Sequence, residues 1–484
     1  MNALPAGWDS LRLKDVAARG STIDPSRHPN EQFELYSVPS YSDGEPELAY
    51  GREIGSTKQE VRAGDVLLCK IIPHLVRVWV VPEPQSLRQI ASSEWIIYRD
   101  HGCDPNYLRR ALMEPNFREQ FMQTKSGVGG SLTRARPVAV NEIEVSLAPL
   151  GEQRRIVAKL EQAMARTARA RAELARIPSL VGVQKQAILA QAFSGALTAR
   201  WREENRAQIF GDELRRKVSA ERARRREAEG VRGSGANRSI PMGERTLPSI
   251  PDGWAWMTFD ECSWDLTVGH VGPMKDRYVA SGIPFLRSLN VKTNAISRND
   301  LVFISQDFHR DLRKSQLKAG TIVVVRTGEP GVAAVIPEEL DGSNCSDLVI
   351  CRAVESVDPH YASRYINSDF AKKFINDNQV GVAQQHFNVG AMSQLPFPLA
   401  PPEEQVEIVR RIDSAFAWLD KVAHEHAQAT RLLDPLDQAL LAKAFRGELV
   451  PQDPADEPAA ALLARVRAER EGAAPPARKR KARA

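Results

Sequence analysis

Two long stretches of the chain repeat apolar residues with a helical beat, and they are copies of one another. Alternating steps of four and three from Ile156 meet Leu160, Ala163, Thr167, Ala170, Leu174, Ile177, Val181, Gln184 and Ile188. The same steps from Ile408 meet Ile412, Ala415, Leu419, Val422, His426, Ala429, Leu433, Leu436 and Leu440. All but Thr167, Gln184 and His426 are apolar, and charge lies on the flanks. This is the seam of a coiled coil, with an apolar position every ~3.5 residues. The copies align without a gap from Leu147↔Leu399 to Leu197↔Leu449 at a constant offset of 252. Identities gather at the two ends: Glu152-Gln153 with Glu404-Gln405, and Ala192-Phe193-x-Gly195-x-Leu197 with Ala444-Phe445-x-Gly447-x-Leu449. Neither helix can bury its stripe alone in water, so each is expected to pair with the other, antiparallel. Ile156, Leu160, Leu174, Ile177 and Ile188 would face Ile408, Ile412, Leu419, Leu433 and Leu440. Pro178 and Pro435 fall at non-equivalent places in the two copies, and each is expected to kink or divide its helix.

The rest of the chain is duplicated too, less strictly. Leu4-Pro5-Ala6-Gly7-Trp8 matches Ile250-Pro251-Asp252-Gly253-Trp254. The stretch 61–70, ending in Cys69-Lys70, matches 317–326, ending in Val325-Arg326. Ser93-Glu94 matches Ser346-Asp347, and Asp104-Pro105-x-Tyr107 matches Asp358-Pro359-x-Tyr361. The offset wanders between 246 and 256, so these copies carry insertions that the helices lack. Strands are expected at 66–69, 76–81, 95–98, 321–325, 332–336 and 348–351. One helix is expected from Pro105 to Gln123 and one from Pro359 to Asn376, capped by Asp104 and Asp358 with proline in the first turn. A third echo relates Leu214, Val218 and Glu221 to Leu462, Val466 and Glu469 in two short charged helices. The predicted class is α+β. Domains of residues 1–146 and 250–398 alternate with long helices over 147–197 and 399–449. A charged helix and Gly/Ser linker fill 198–249, and a charged helix with a basic tail fills 450–484.

Composition narrows the function. A hydrophobic content of 42% supports real cores, and a net charge of +5 permits nucleic-acid binding without requiring it. Five cysteines without a CxxC pair read as core thiols in a reduced, intracellular setting. The N-terminus has no basic segment leading into an apolar run, so no secretory signal is expected. The apolar run 66–82 is interrupted by Lys70, His74 and Arg77 and is no membrane span. Catalytic patterns are missing: no phosphate-binding P-loop, no Asn/Asp-Pro-Pro-aromatic tetrapeptide, and no nuclease carboxylate–lysine cluster. His424 and His426 point apart on a helix, and Cys345 and Cys351 lack further ligands at zinc spacing.

What remains is chemistry suited to binding. Lys70 and Arg326 occupy the same repeated position at the end of a buried strand, as phosphate or base contacts would. His74 and Arg77 lie near Lys70; Thr327 lies beside Arg326, and Arg287 adds a further cation. The loops before the long helices hold Lys125, Thr133, Arg134 and Arg136 in one domain, and Gln384, Gln385, His386 and Asn388 in the other. Arginine pairs with guanine edges and Gln/Asn with adenine edges, while Lys and Thr serve phosphates more often.

This architecture resembles the DNA specificity subunit of type I restriction–modification systems. The likeness rests on the paired P-x-G-W starts, the A-G-D-V and A-G-T-I strands leading to Lys70 and Arg326, the L-x-P-x-x-E-Q segments (Leu147 to Gln153, Leu399 to Gln405), and the A-F-x-G-x-L exits. It covers all but the tail. It implies two pseudo-symmetric target-recognition domains separated by two long antiparallel helices. Each domain would read one half of a split, asymmetric double-stranded target, and the helices would set the gap. It further implies two modification subunits and restriction subunits as partners in a prokaryotic cytoplasm. Adenine methylation or cleavage, with S-adenosylmethionine, ATP and Mg²⁺, would belong to those partners and not to this subunit. The other readings open on residues alone are a methyltransferase or nuclease fusion, and a coiled-coil scaffold without a DNA role.

Overall fold

A computed structural model describes residues 4–18, 21–84, 86–126, 133–205, 211–231, 247–377 and 387–472. The chain groups into two compact units, residues 1–175 with 426–484 and residues 176–425.

In the first unit the P-x-G-W segment leads into strand Asp9–Arg12, which pairs antiparallel with Glu144–Leu147. The first and last strands of the domain therefore meet where the long helix begins. Between them lies a three-stranded antiparallel sheet in the order Val78–Val80, Val66–Cys69, Trp95–Tyr98. All four residues of Val66–Cys69 are buried, as a central apolar strand should be. A five-stranded sheet runs Thr22–Ile23, Lys58–Glu60, Arg88–Ala91, Gln32–Tyr36, Glu47–Tyr50. The second unit repeats the outer pairing with Ala255–Thr258 against Pro396–Leu399. Its main sheet orders Ser263–Val268, Leu348–Ala353, Ile322–Val325, Ala333–Val335, and a second sheet is built from Tyr278–Val279, Val302–Ile304, Ile283–Leu286 and Asn344–Cys345.

Asp104 and Asp358 cap their helices as expected, each accepting two backbone N–H groups. The single helices expected there are each two. Pro115 cannot continue the helix Pro105–Ala111, and instead opens Pro115–Gln123 with Glu114 as its cap. Pro359–Ile366 is followed by a separate helix, Asp369–Asp377.

The two prolines of the long helices behave differently. The first copy divides into Leu150–Leu174 and Ile177–Phe193, with Pro178 in the first turn of the latter, where its missing N–H is harmless. The second copy is one helix of 44 residues, Pro402–Phe445, with Pro435 inside it. The expected seam also needs correction. Ile156, Leu160, Ile408, Ile412 and Leu419 are buried, but Leu174, Ile177, Ile188, Leu433 and Leu440 are only half-buried, and Leu436 is 46% exposed. Leu189 and Leu441, one residue further on, are buried in place of Ile188 and Leu440. A helix of 3.6 residues per turn drifts off a 3.5 repeat unless it supercoils. The buried ends belong to the domain cores: Ile156 and Leu160 pack with Leu11, Tyr107, Leu441 and Phe445, and Ile408 and Ile412 with Leu189, Phe193 and Phe397. Between these ends lie polar pairs as well as half-buried apolar residues. Thr167 bonds Asp437 (2.8 Å) and Arg171 bonds Asp434 and Asp437 in the first unit, an antiparallel match. Lys185 bonds Asp420 in the second (2.5 Å).

The short charged helices are core elements. Ala459–Gly472 buries Leu462, Leu463 and Val466 in the first unit. At Gly102 (φ 63°) a Cβ would stand 2.6 Å from Val466. Gly211–Ala228 buries Leu214 and Val218 in the second unit, and Glu221 accepts from the Ser356 amide and hydroxyl. All five cysteines are free and buried, and burial pushes the Cys103 thiol up to about 12. No helix among the described residues is long and apolar enough to cross a membrane.

Candidate nucleic-acid interface

The structure brings the two candidate loops of each domain together, by the same bonds. In the first unit the amide of Ala135 donates to the carbonyl of Lys70 (2.8 Å). In the second, the amide of Phe387 donates to the carbonyl of Arg326 (3.2 Å). Ala135 and Phe387 are themselves equivalent at the helix offset of 252. Thus the strand carrying the repeated cation is stitched to the loop that leads back to the long helix.

The repeated cations have acidic partners. Lys70 Nζ donates to the Ser93 carbonyl (2.7 Å) and lies 3.9 Å from Glu94, which also receives Arg134 at 3.2 Å. Arg326 meets Asp347 at 3.2 Å, and its Nε donates to the Phe387 carbonyl (3.3 Å). Glu94 and Asp347 are equivalent, so the shared element is a cation–carboxylate pair rather than a lone charge. Sequence reading missed these acids as site members, although the Ser-Glu and Ser-Asp matches carried the signal.

Around the first pair, Cys69 N donates to Arg77 O (3.0 Å), fixing the loop 70–77 at its base. Ile72 N donates to Thr133 O (3.0 Å), and Arg118 Nη2 donates to His74 O (3.0 Å). Lys125–Ser126 pairs with Arg134–Ala135, and Arg136 N donates to Thr124 O (3.1 Å). Lys70, His74, Arg77, Lys125, Thr133, Arg134 and Arg136 therefore form one connected surface, to which Arg118 is added. Around the second pair, Asp347 N donates to His270 O (3.1 Å), and Ser346 N to Leu286 O (3.0 Å), beside Arg287. Arg287 donates to Asp300 O (2.5 Å) and stands 6.0 Å over the Tyr278 ring. His270 packs edge-on against Phe308, which Arg277 covers at 5.1 Å. Thr327 follows Arg326 directly. Asn388 Oδ1 is taken up as the cap of helix Val389–Ser393 (Ala391 N, 2.8 Å). Gln384, Gln385 and His386 lie outside the described residues.

A second repeated site lies at the start of each long helix. Glu152 and Glu404 are both 1% exposed, and each accepts an indole N–H: Trp8 at 2.9 Å and Trp254 at 2.8 Å. Gln153 and Gln405 accept the amides of Asp104 and Asp358 (2.8 and 2.7 Å). The P-x-G-W and E-Q motifs are thus two halves of one structural joint. Among the described residues no cluster of His, Cys, Asp or Glu is arranged to hold a metal ion.

Several known proteins resemble this chain as a whole. A family model for the type I restriction modification DNA specificity domain matches residues 273–428. The type I restriction enzyme EcoDI specificity subunit of Escherichia coli is 27% identical over 360 residues, spanning 72% of this chain and 73% of its own. The EcoKI specificity subunit of Escherichia coli (strain K12) is 26% identical, spanning 71% and 67%. Among solved structures, the HsdS subunit from Thermoanaerobacter tengcongensis shares the fold (TM-score 0.59, 21% identity, 92% of this chain and 98% of that one). So does a chain from a study of complex assembly and conformational transition of the type I R-M system (TM-score 0.64, 22% identity, 93% and 100%). The class these likenesses define is a two-domain α+β fold. The chain is thus similar to type I restriction enzyme specificity subunits in sequence, and the solved structures share its fold.

Proposed function

We propose that this chain reads a split, asymmetric DNA sequence, one half by each repeated domain, for a type I restriction–modification complex. The observation that carries this reading is the stitched pair of loops repeated around Lys70–Glu94 and Arg326–Asp347. One framework appears twice, with different residues displayed around it, as two readers of unlike half-sites require. Binding and positioning are this chain's part. S-adenosylmethionine-dependent adenine methylation, and the ATP- and Mg²⁺-dependent cleavage reaction, belong to two modification subunits and the restriction subunits in a prokaryotic cytoplasm. Phosphate contacts from Lys125, Arg134 and Arg136 would position the duplex, and base-edge contacts would specify it.

The test is a domain exchange. Residues 250–398 are replaced by the same domain of a relative, and methylated genomic sites are sequenced. A change in one half of the target is expected, and a change in both halves overturns the two-reader reading. Methyl transfer by the isolated chain would overturn the non-catalytic assignment.

A further inference from the structure

The loop after strand Val66–Cys69 holds an unusual backbone. Ile72 has φ 50°, a left-handed conformation that a β-branched side chain strongly resists. The other non-glycine residues with positive φ among the described residues are Asp or Asn, which tolerate it. The equivalent of Ile72 in the second domain, counting from Lys70↔Arg326, is Gly328, with φ 95°. Both domains therefore turn the same way at the same place, and the first does so without the residue that makes it easy. The turn is held firmly: Ile72 N donates to Thr133 O (3.0 Å), Leu75 N to Ile72 O (2.9 Å), and Arg118 to His74 O (3.0 Å).

What this turn presents is Leu75, which is 49% exposed beside the exposed His74. The loop and its direct hydrogen-bond and strand partners supply Lys70, Arg77, Arg118 and Arg134, with Glu94 as the acid between Lys70 and Arg134. A cation-rich rim suits a polyanion, and an apolar tip within it needs an apolar feature on that polyanion. In the major groove of DNA that feature is the C5-methyl group of thymine.

We propose that Leu75 reads a thymine methyl group in the half-target recognised by the first domain, with Ile72 as the positioning residue that aims it. This rests on the DNA-reading function proposed above.

The experiment uses the full-length chain assembled with its partner subunits. Duplexes carry the target found by sequencing methylated sites, with each thymine of the first half replaced in turn by uracil, which removes the methyl and leaves base pairing unchanged. At one position the native complex is expected to bind uracil roughly fourfold more weakly, the weight of one buried methyl group. Leu75→Ala should bind the thymine duplex weaker by a similar factor and lose the discrimination, while Leu75→Met should keep it. The proposal is overturned if Leu75→Ala still discriminates as the native chain does. It is also overturned if no uracil in that half weakens native binding, or if Leu75→Ala impairs only partner-subunit capture. In each of those cases, preference of the native complex for its target over a scrambled duplex leaves the DNA-reading function standing; absence of that preference removes both.

Discussion

The repeated joint between tryptophan and glutamate is asymmetric, and that asymmetry makes a sharp prediction. Glu404 is satisfied three times: Trp254 Nε1 donates to one oxygen, and Thr198 Oγ1 (2.6 Å) and Arg202 Nη1 (2.5 Å) to the other. At the helix offset, the partners Thr198 and Arg202 become Val450 and Pro454 in the first unit. Glu152 accordingly keeps its tryptophan, but its second oxygen has no hydrogen-bond partner among the described residues. Burial holds the Glu152 carboxyl above the ordinary carboxylate range, against the pull of the Trp8 bond. Replacing Glu404 by Gln removes the carboxylate from a buried ion pair. Such losses run to ~3–5 kcal/mol, and Arg202, a quarter exposed, recovers some hydration; about 2–3 kcal/mol is expected. Glu152→Gln keeps the acceptor for Trp8 and removes a poorly solvated charge, so a change within about 1 kcal/mol of zero is expected. The sign with pH follows. A carboxyl whose folded pKa is raised stabilises fully below its unfolded pKa, and loses that contribution as pH rises through the folded pKa. The first unit should therefore lose stability across that window, and Glu152→Gln should abolish this component. Amide hydrogen exchange of the pairs Asp9–Arg12 with Glu144–Leu147 and Ala255–Thr258 with Pro396–Leu399, at several pH values, reads each unit separately. Equal destabilisation of the two units by the two substitutions would refute the reasoning.

The two prolines should respond differently to alanine. Pro435→Ala restores an interior helix hydrogen bond and should stabilise the helix by up to about 3 kcal/mol, whereas Pro178→Ala should change little; slower exchange of amides around 431–439 in the first variant alone is the check. Phe193→Ala removes a ring stacked edge-on against Tyr361 (5.3 Å) and Tyr365 (5.1 Å), and should cost about 3–5 kcal/mol, seen as faster exchange in the second unit. Adding four residues to each long helix lengthens it by roughly 6 Å and should widen the unread gap in the methylated sequence; an unchanged gap argues against the spacer role. DNA binding by the assembled complex should weaken steeply with salt, and Arg134→Gln should flatten that slope.

Much of this organisation is legible in the sequence because it occurs twice. The matched Asp-Pro caps and the strands leading to Lys70 and Arg326 sit at repeated positions and are expected there; the outer strands beside Trp8 and Trp254, and the meeting of the Lys70 and Arg326 loops with those before the long helices, repeat as well but carry no pattern that predicts them. Less legible was anything depending on which surface an apolar stripe meets. Ile156 and Ile408 look like coiled-coil residues, yet they complete domain cores, and periodicity alone cannot distinguish two apolar partners. The charged helices show in sequence only their charge and their echo, whereas a few apolar residues on one face suffice to bury each against a core. The backbone at Ile72 left no trace in residue type at all.

The first unit is discontinuous: its core combines residues up to Leu160 with Leu441, Phe445, Leu463 and Val466, while residues 176–425 form the second unit without interruption. A ribosome therefore finishes the second unit first. The N-terminal domain, although made earliest, must wait for some 300 further residues, about 15–60 s at ~5–20 residues per second, before the segment that covers its apolar surface exists. During that interval its apolar surface stays uncovered, the condition in which partly folded chains aggregate. Truncation near the C-terminus should therefore reduce the yield of the domain at the opposite end of the sequence.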